Sequence, residues 1–270
     1  MKTRLPLALL VSALAVAVRA QAPYVGAAEA DREFDRITAE DLRTIASKKA
    51  LIVSRSFGQN LLDGLDRVAA RKPGFKVAYA RNLANLHMGD PMSKVPADVF
   101  EKNSIAHVLI TIEPLDKRID QAAELLRHPP WEFGKKADVV MVEYHGSKPE
   151  FFPTYQKKMD ALAREFPNIR FIYVTSGLMP RENDPGNEAS WAFGELVLKH
   201  YKGKVPILDW RDLLSTRPDG TPVGHQMVPE FNAYPRGNPD RTHPNSDFAE
   251  ERLGRAWWVL MYKLFCAPAP

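Results

Sequence analysis

Short unbroken apolar runs alternate along this chain with longer stretches whose apolar residues recur every three or four positions. Leu51-Ile52-Val53 is the first such run, and Phe75 to Tyr79 alternates like a second strand. Val139 to Val142 is continuously apolar, as expected of a strand covered on both faces. Ile169 to Thr175 and Val205 to Leu208 predict a fourth and a fifth strand. Between them, Asn60 to Arg71 places Leu61, Leu62, Leu65 and Val68 at helical spacing. Phe152 to Phe166 does the same with Tyr155, Met159 and Leu162, and Pro153 suits its first turn. A closing helix, capped by Asn245 or Ser246, lines up Leu253, Trp257, Leu260 and Leu264.

Strands separated by helices imply an α/β fold: a three-layer α/β/α sandwich around a central parallel sheet of about five strands, flavodoxin-like in plan. Residues 21–45 are expected as a lead-in, its Ala-rich and charged stretch 21–40 either mobile or a first short helix; residues 46–266 are expected as a single domain. Between residues 86 and 136 the pattern loosens. This stretch predicts an insertion beside the second and third strands, with a helix over Asp116 to His128. Within it, His107 to Ile112 fits either a strand or a buried helical segment.

Lys2 and Arg4, an apolar run from Leu5 to Val18, and small residues around Ala20 and Ala22 predict a secretory leader, residues 1–20, cleaved near 20–22. The run is too short for a comfortable membrane span, so stable insertion is not expected after cleavage. Export to the periplasm or medium follows. The formal charge of +4 shrinks with the leader, because Lys2, Arg4 and Arg19 go with it; the remaining basic residues match the 33 acidic ones to within one charge. Nucleic acid is therefore not an expected partner. The single cysteine, Cys266, cannot form an internal disulfide.

Candidate chemistry lies at two points. Ser56 follows the first strand, where a doubly wound sheet gathers reactive groups, and Gly58 allows a tight turn into the next helix. Asp240-Arg241-Thr242-His243 precedes the closing helix; an acid three residues before a histidine can bond Nδ1 and leave Nε2 outward as a base. Plain capping explains each alone, with Ser56 as a loop or N-cap serine and Asp240 as a turn residue. The two together point to a serine hydrolase. The remaining histidines lack metal-ligand spacing, no Gly-rich phosphate loop is present, and no metal or organic cofactor is expected. Glu143 and His145 share a strand face only if the third strand runs that far. The elbow of an α/β-hydrolase requires glycine where Ser54 stands. Trp131, Phe133, Trp191, Phe193 and Trp210 suit either a sugar-binding cleft or core packing.

On these residues the chain resembles the SGNH (GDSL-like) hydrolase superfamily. Its first block reads Ser56-Phe57-Gly58-Gln59-Asn60, similar to the branch with Ser-x-Gly-x-Asn, and Asp240-Arg241-Thr242-His243 corresponds to the last block. Looser similarity runs over most of residues 50–265. The resemblance implies Ser56 as nucleophile, His243 as base and Asp240 as its orienting acid. It also implies two further oxyanion donors, a glycine after the second strand and an asparagine after the third. Neither is evident here, leaving Gly58, Asn60, Asn82, Asn85, His145 and Gly146 as candidates for oxyanion or substrate contacts. The expected activity is that of an exported serine esterase on a small-molecule or carbohydrate ester. The alternative is a catalytically weak or inactive ligand-binding relative of the same fold.

Overall fold

The computed structural model describes residues 21–111, 116–144, 148–181, 183–234 and 242–267. The predicted leader, residues 1–20, lies outside them. In chain order the elements are β1 (Tyr24–Val25), α1 (Ala27–Glu33), α2 (Ala39–Ala46), β2 (Ala50–Ser54), α3 (Ser56–Arg71), β3 (Tyr79–Ala80), α4 (Val99–Lys102) and β4 (Ile105–Leu109). There follow α5 (Asp116–Arg127), β5 (Val139–Val142), α6 (Phe152–Glu165), β6 (Arg170–Val174), α7 (Pro185–Tyr201), β7 (Ile207–Leu208), α8 (Trp210–Ser215) and α9 (Asp247–Phe265).

Among the described residues seven strands form one parallel sheet, in the order β1-β7-β6-β5-β2-β4-β3. The period-two rule assigns its faces. Ala50, Ile52, Val139, Met141, Ile172 and Leu208 point into a core covered by α1, α2, α3, α8 and α9. Leu51, Val53, Val108, Val140, Val142 and Phe171 point the other way, against α5, α6 and α7. The chain is therefore a three-layer α/β/α sandwich, and the double coverage explains why β2 and β5 read as unbroken apolar runs.

Four expectations need correction. The sheet has seven strands rather than about five. The lead-in is structured rather than mobile: α1 is the short helix among its alternatives, β1 extends the sheet beside β7, and the Ala27 N–H donates to Asp212 Oδ2 at 2.8 Å, tying α1 to α8. The stretch read as an insertion supplies β4, which pairs along the whole of β2 from Ala50↔Ile105 to Ser54↔Leu109. The alternating segment at 75–79 is not the second strand of the core; Pro73–Phe75 forms a single 3-10 turn, and only Tyr79–Ala80 pairs, at the sheet edge beyond β4.

With β4 in place, the five inner strands run β4-β2-β5-β6-β7, so successive crossovers leave β2 toward opposite edges. The switch point lies between the carboxyl ends of β2 and β5, where such sheets form their ligand crevice. Ser54 ends β2 and Glu143 follows β5. Beneath this crevice α3 and α9 cross at backbone contact. A Cβ built on Gly64 would lie 2.0 Å from the Glu250 carbonyl oxygen, and one on Gly254 would lie 2.4 Å from Gly64.

Candidate active site at the switch point

Arg55 is extended (φ −101°) and Ser56 opens α3, so the serine sits on the first helical turn at the mouth of the central strand, half-buried. No side chain from Arg55 caps this helix. The cap comes from just past the neighbouring strand instead: the Arg55 N–H donates to Glu143 Oε2 at 2.7 Å. Glu143 is buried, and burial pushes its carboxyl above the usual range. The Arg118 and Arg55 charges and the N–H groups of Arg55 and Gly58 act against that shift. Among the described residues its Oε1 has no hydrogen-bond partner.

His243 lies on the loop ahead of α9. Its carbonyl accepts from Asn232 Nδ2 (2.9 Å) and from the Asn245 N–H (3.0 Å), and Ser246 caps α9 through the Ala249 N–H (3.3 Å). The half-buried His243 ring packs 6.0 Å from the ring of Phe57, the residue after Ser56, and Phe57 in turn meets Trp210 at 5.5 Å. The fold thus brings the loop of the last block against the turn of the first. Asp240, His145 and Gly146 fall outside the described residues.

The other predicted contacts divide. Gly58 belongs to the first turn of α3, but its lack of a side chain serves close packing rather than the turn: a Cβ there would lie 1.8 Å from Ser54 Oγ and 3.4 Å from His107 Nε2. Asn60 points away from the crevice, its Nδ2 donating to Glu250 Oε1 at 3.1 Å across the α3–α9 interface. Asn82 stays near, accepting from Gln59 Nε2 at 3.1 Å with a left-handed backbone (φ 54°). Asn85 is engaged locally, its N–H on Asp90 Oδ2 (2.9 Å) and its Oδ1 on the Met88 N–H (3.3 Å). Of the aromatic residues weighed for a sugar cleft, Trp131, Phe133, Phe193 and Trp210 are buried in the core. Trp191 is half-buried and stacks on His225 at 4.2 Å.

A buried polar pair that sequence reasoning passed over underlies the Ser56 turn. Ser54 Oγ lies 2.7 Å from His107 Nε2, both residues fully buried. Ser54 also donates to the Arg55 carbonyl (3.1 Å), and His107 Nδ1 accepts from the Asn82 N–H at the long distance of 3.4 Å. A ring that accepts at Nδ1 carries its proton on Nε2, so the network assigns His107 as donor to Ser54. Ser54 is therefore anchored rather than activated. The chain Asn82–His107–Ser54–Arg55 pins the loop after β3, the strand β4 and the Ser56 turn together. Only the apolar run around His107 hinted at this role.

Burial, with a smaller contribution from the Arg81 charge, pulls His107 down to about 3. An unfolded histidine titrates near 6.5, so between about pH 6.5 and 3 the unfolded chain holds a proton that the folded protein does not. Stability falls as pH falls through that window, by up to about 1.4 kcal/mol per pH unit from this group. Urea titrations at pH 7, 6 and 5 on the wild type and on His107→Gln, which keeps a donor but cannot protonate, should show a difference that shrinks or inverts in favour of glutamine toward pH 5. A pH-independent difference would refute the assignment.

No family model matches this chain, and no curated protein matches it. Among solved structures, the chain is similar to the salicylyl-acyltransferase SsfX3 from a tetracycline biosynthetic pathway, at 16% identity and a TM-score of 0.36. The likeness covers 83% of this chain and 56% of that one, so the chain spans little more than half that protein's length. No described helix is long and apolar enough to cross a membrane. Among the described residues, no group of three or more His, Cys, Asp or Glu side chains is arranged to hold a metal ion.

Proposed function

We propose that the protein is an exported serine ester hydrolase of SGNH type with Ser56 as nucleophile. The observation that carries the reading is the meeting of two distant segments: Ser56 opens α3 at the switch point, and the His243 ring packs against Phe57. Ser56 Oγ attacks the ester carbonyl while His243 takes its proton. His243 returns that proton to the departing alkoxide, and Asp240 holds the imidazole tautomer. Water, deprotonated in turn by His243, cleaves the acyl-enzyme and restores the serine. Acyl transfer to another alcohol shares every step but the last. A short acyl group on a small molecule or carbohydrate suits this reading.

Glu143 supports a second reading, a binding protein of the same fold. A buried carboxylate on the Arg55 N–H occupies amide hydrogen-bonding capacity at the helix start and opposes negative charge on a neighbouring oxyanion.

Intact mass after exposure of the mature protein to a fluorophosphonate decides between them. One adduct on the wild type, mapped to Ser56 and absent from Ser56→Ala, is the expected result. No adduct on folded wild-type protein would remove the hydrolase reading and leave the binder.

A further inference from the structure

Next to the His243 loop lies a cleft of about 530 Å³ walled by the chain after β6, the start of α7 and Lys148 from the loop after β5, with Thr242 on its rim. Its wall is prefabricated. Buried Asn187 accepts from the Met179 N–H at 2.7 Å and donates to the Met179 and Arg181 carbonyls, both at 3.0 Å, so the segment carrying Arg181 has a fixed course. Two cationic side chains, Lys148 and Arg181, reach this cleft from different loops, and among the described residues neither is engaged by a carboxylate. The acid in the lining, Asp184, is held at the helix start by the Gly186 N–H at 2.7 Å. Among the described residues, two unengaged cations against one committed acid leave the cleft net positive, on the side of the site from which Thr242 adjoins the candidate base.

We propose that this cleft is a substrate subsite for an ester whose acyl or alcohol part carries a carboxylate, with Lys148 and Arg181 as its anchors. The choice of an ester rests on the hydrolase reading; the choice of an anion rests on the cleft alone. Charge-assisted hydrogen bonds from two cations select the charged ligand over a neutral one of equal shape. The volume falls within the range of small-molecule sites and exceeds what a bare acetyl group would fill.

The test uses mature Ser56→Ala protein, so that no turnover occurs, and two probes that share a methyl ester and a two-methylene chain and differ in their charged or neutral end: monomethyl succinate and methyl butyrate. Amide shifts of Gly177, Gly186 and Thr242 are followed by NMR during each titration. Monomethyl succinate is expected to bind at least about tenfold more tightly, and Lys148→Ala/Arg181→Ala to erase that preference, bringing the affinities of the two probes together. Both residues are exposed, so the double variant should fold. Equal affinities, shifts elsewhere in the molecule, or a preference that survives the double variant would each overturn the proposal. The fluorophosphonate result is separate: succinate selectivity without an adduct keeps the subsite and removes the hydrolase, and an adduct without selectivity does the reverse.

Discussion

Replacing Glu143 with glutamine should accelerate phosphonylation of Ser56 by about tenfold to a hundredfold wherever the pH is high enough to ionise the Glu143 carboxyl. The amide oxygen of glutamine can still accept from the Arg55 N–H, as Glu143 Oε2 does at 2.7 Å, so the cap on α3 is preserved while the charge is removed. At an effective dielectric near 20, a carboxylate within about 5 Å of a developing oxyanion would oppose it by about 3–4 kcal/mol, or more than a hundredfold in rate. Arg118 and Arg55 offset part of that repulsion, which sets the lower end of the range. The pH dependence carries a sign. Burial raises the folded carboxyl, so wild-type protein approaches the variant as pH falls through that raised value, and the gap widens above it. Pseudo-first-order adduct formation from pH 5 to 9, on wild type and Glu143→Gln, measures this directly. A slower variant would mean that the carboxylate positions the serine turn. An identical pair at every pH would mean that it does not reach the reacting oxygen.

That glutamate shows where sequence reading stops. β2, β5, β6 and the helices α3, α6 and α9 were legible because each buries one kind of residue at one period: continuous runs for strands covered twice, three-and-four spacing for helices packed on one side. β4 was ambiguous because His107 stands in the middle of its apolar run, and a lone histidine reads as a break. In the fold it is a satisfied core group, paired with Ser54 at 2.7 Å. β1 and β3 are two residues each, too short to show a period. Within the candidate site, Ser56 and His243 were legible from local motifs, since each adjoins a helix start. The Glu143 cap and the Ser54–His107 pair were not, because their partners lie 88 and 53 residues apart and meet only once the strand order is known. Asn60 misled for a related reason: it lies within the first block by sequence, but the helix turns its side chain to α9 and Glu250.

The helix pair beneath the site should prove the least tolerant part of the core. Gly64→Ala or Gly254→Ala alone is expected to cost about 3 kcal/mol or more, although alanine is by propensity the better helix residue by about 1 kcal/mol. The obstacle is backbone rather than a flexible side chain: the new methyl group on residue 64 would meet the Glu250 carbonyl oxygen at 2.0 Å and the Gly254 nitrogen at 2.7 Å. Neither can rotate away, so α3 and α9 must move apart. That movement loosens the contacts of Leu61, Leu65, Leu253 and Trp257, all buried. It also displaces the Asn60–Glu250 bond and the Arg67–Glu250 ion pair at 2.6 Å that flank the crossing. For a chain of this size the loss should lower Tm by roughly 6–12 °C. The double variant should cost clearly less than the sum, because helices already separated by the first methyl group accommodate the second. Gly74→Ala is the control: the nearest atom to its Cβ would be Leu42 Cδ1 at 3.6 Å, an ordinary contact, and little change is expected. Additive costs would show that the helices yield locally rather than as a rigid pair. Because α3 carries Ser56 on its first turn and α9 follows the His243 loop, the same displacement should slow phosphonylation even where the protein stays folded. A Gly64→Ala protein with native reactivity at low temperature would show that the two ends of the crossing are uncoupled.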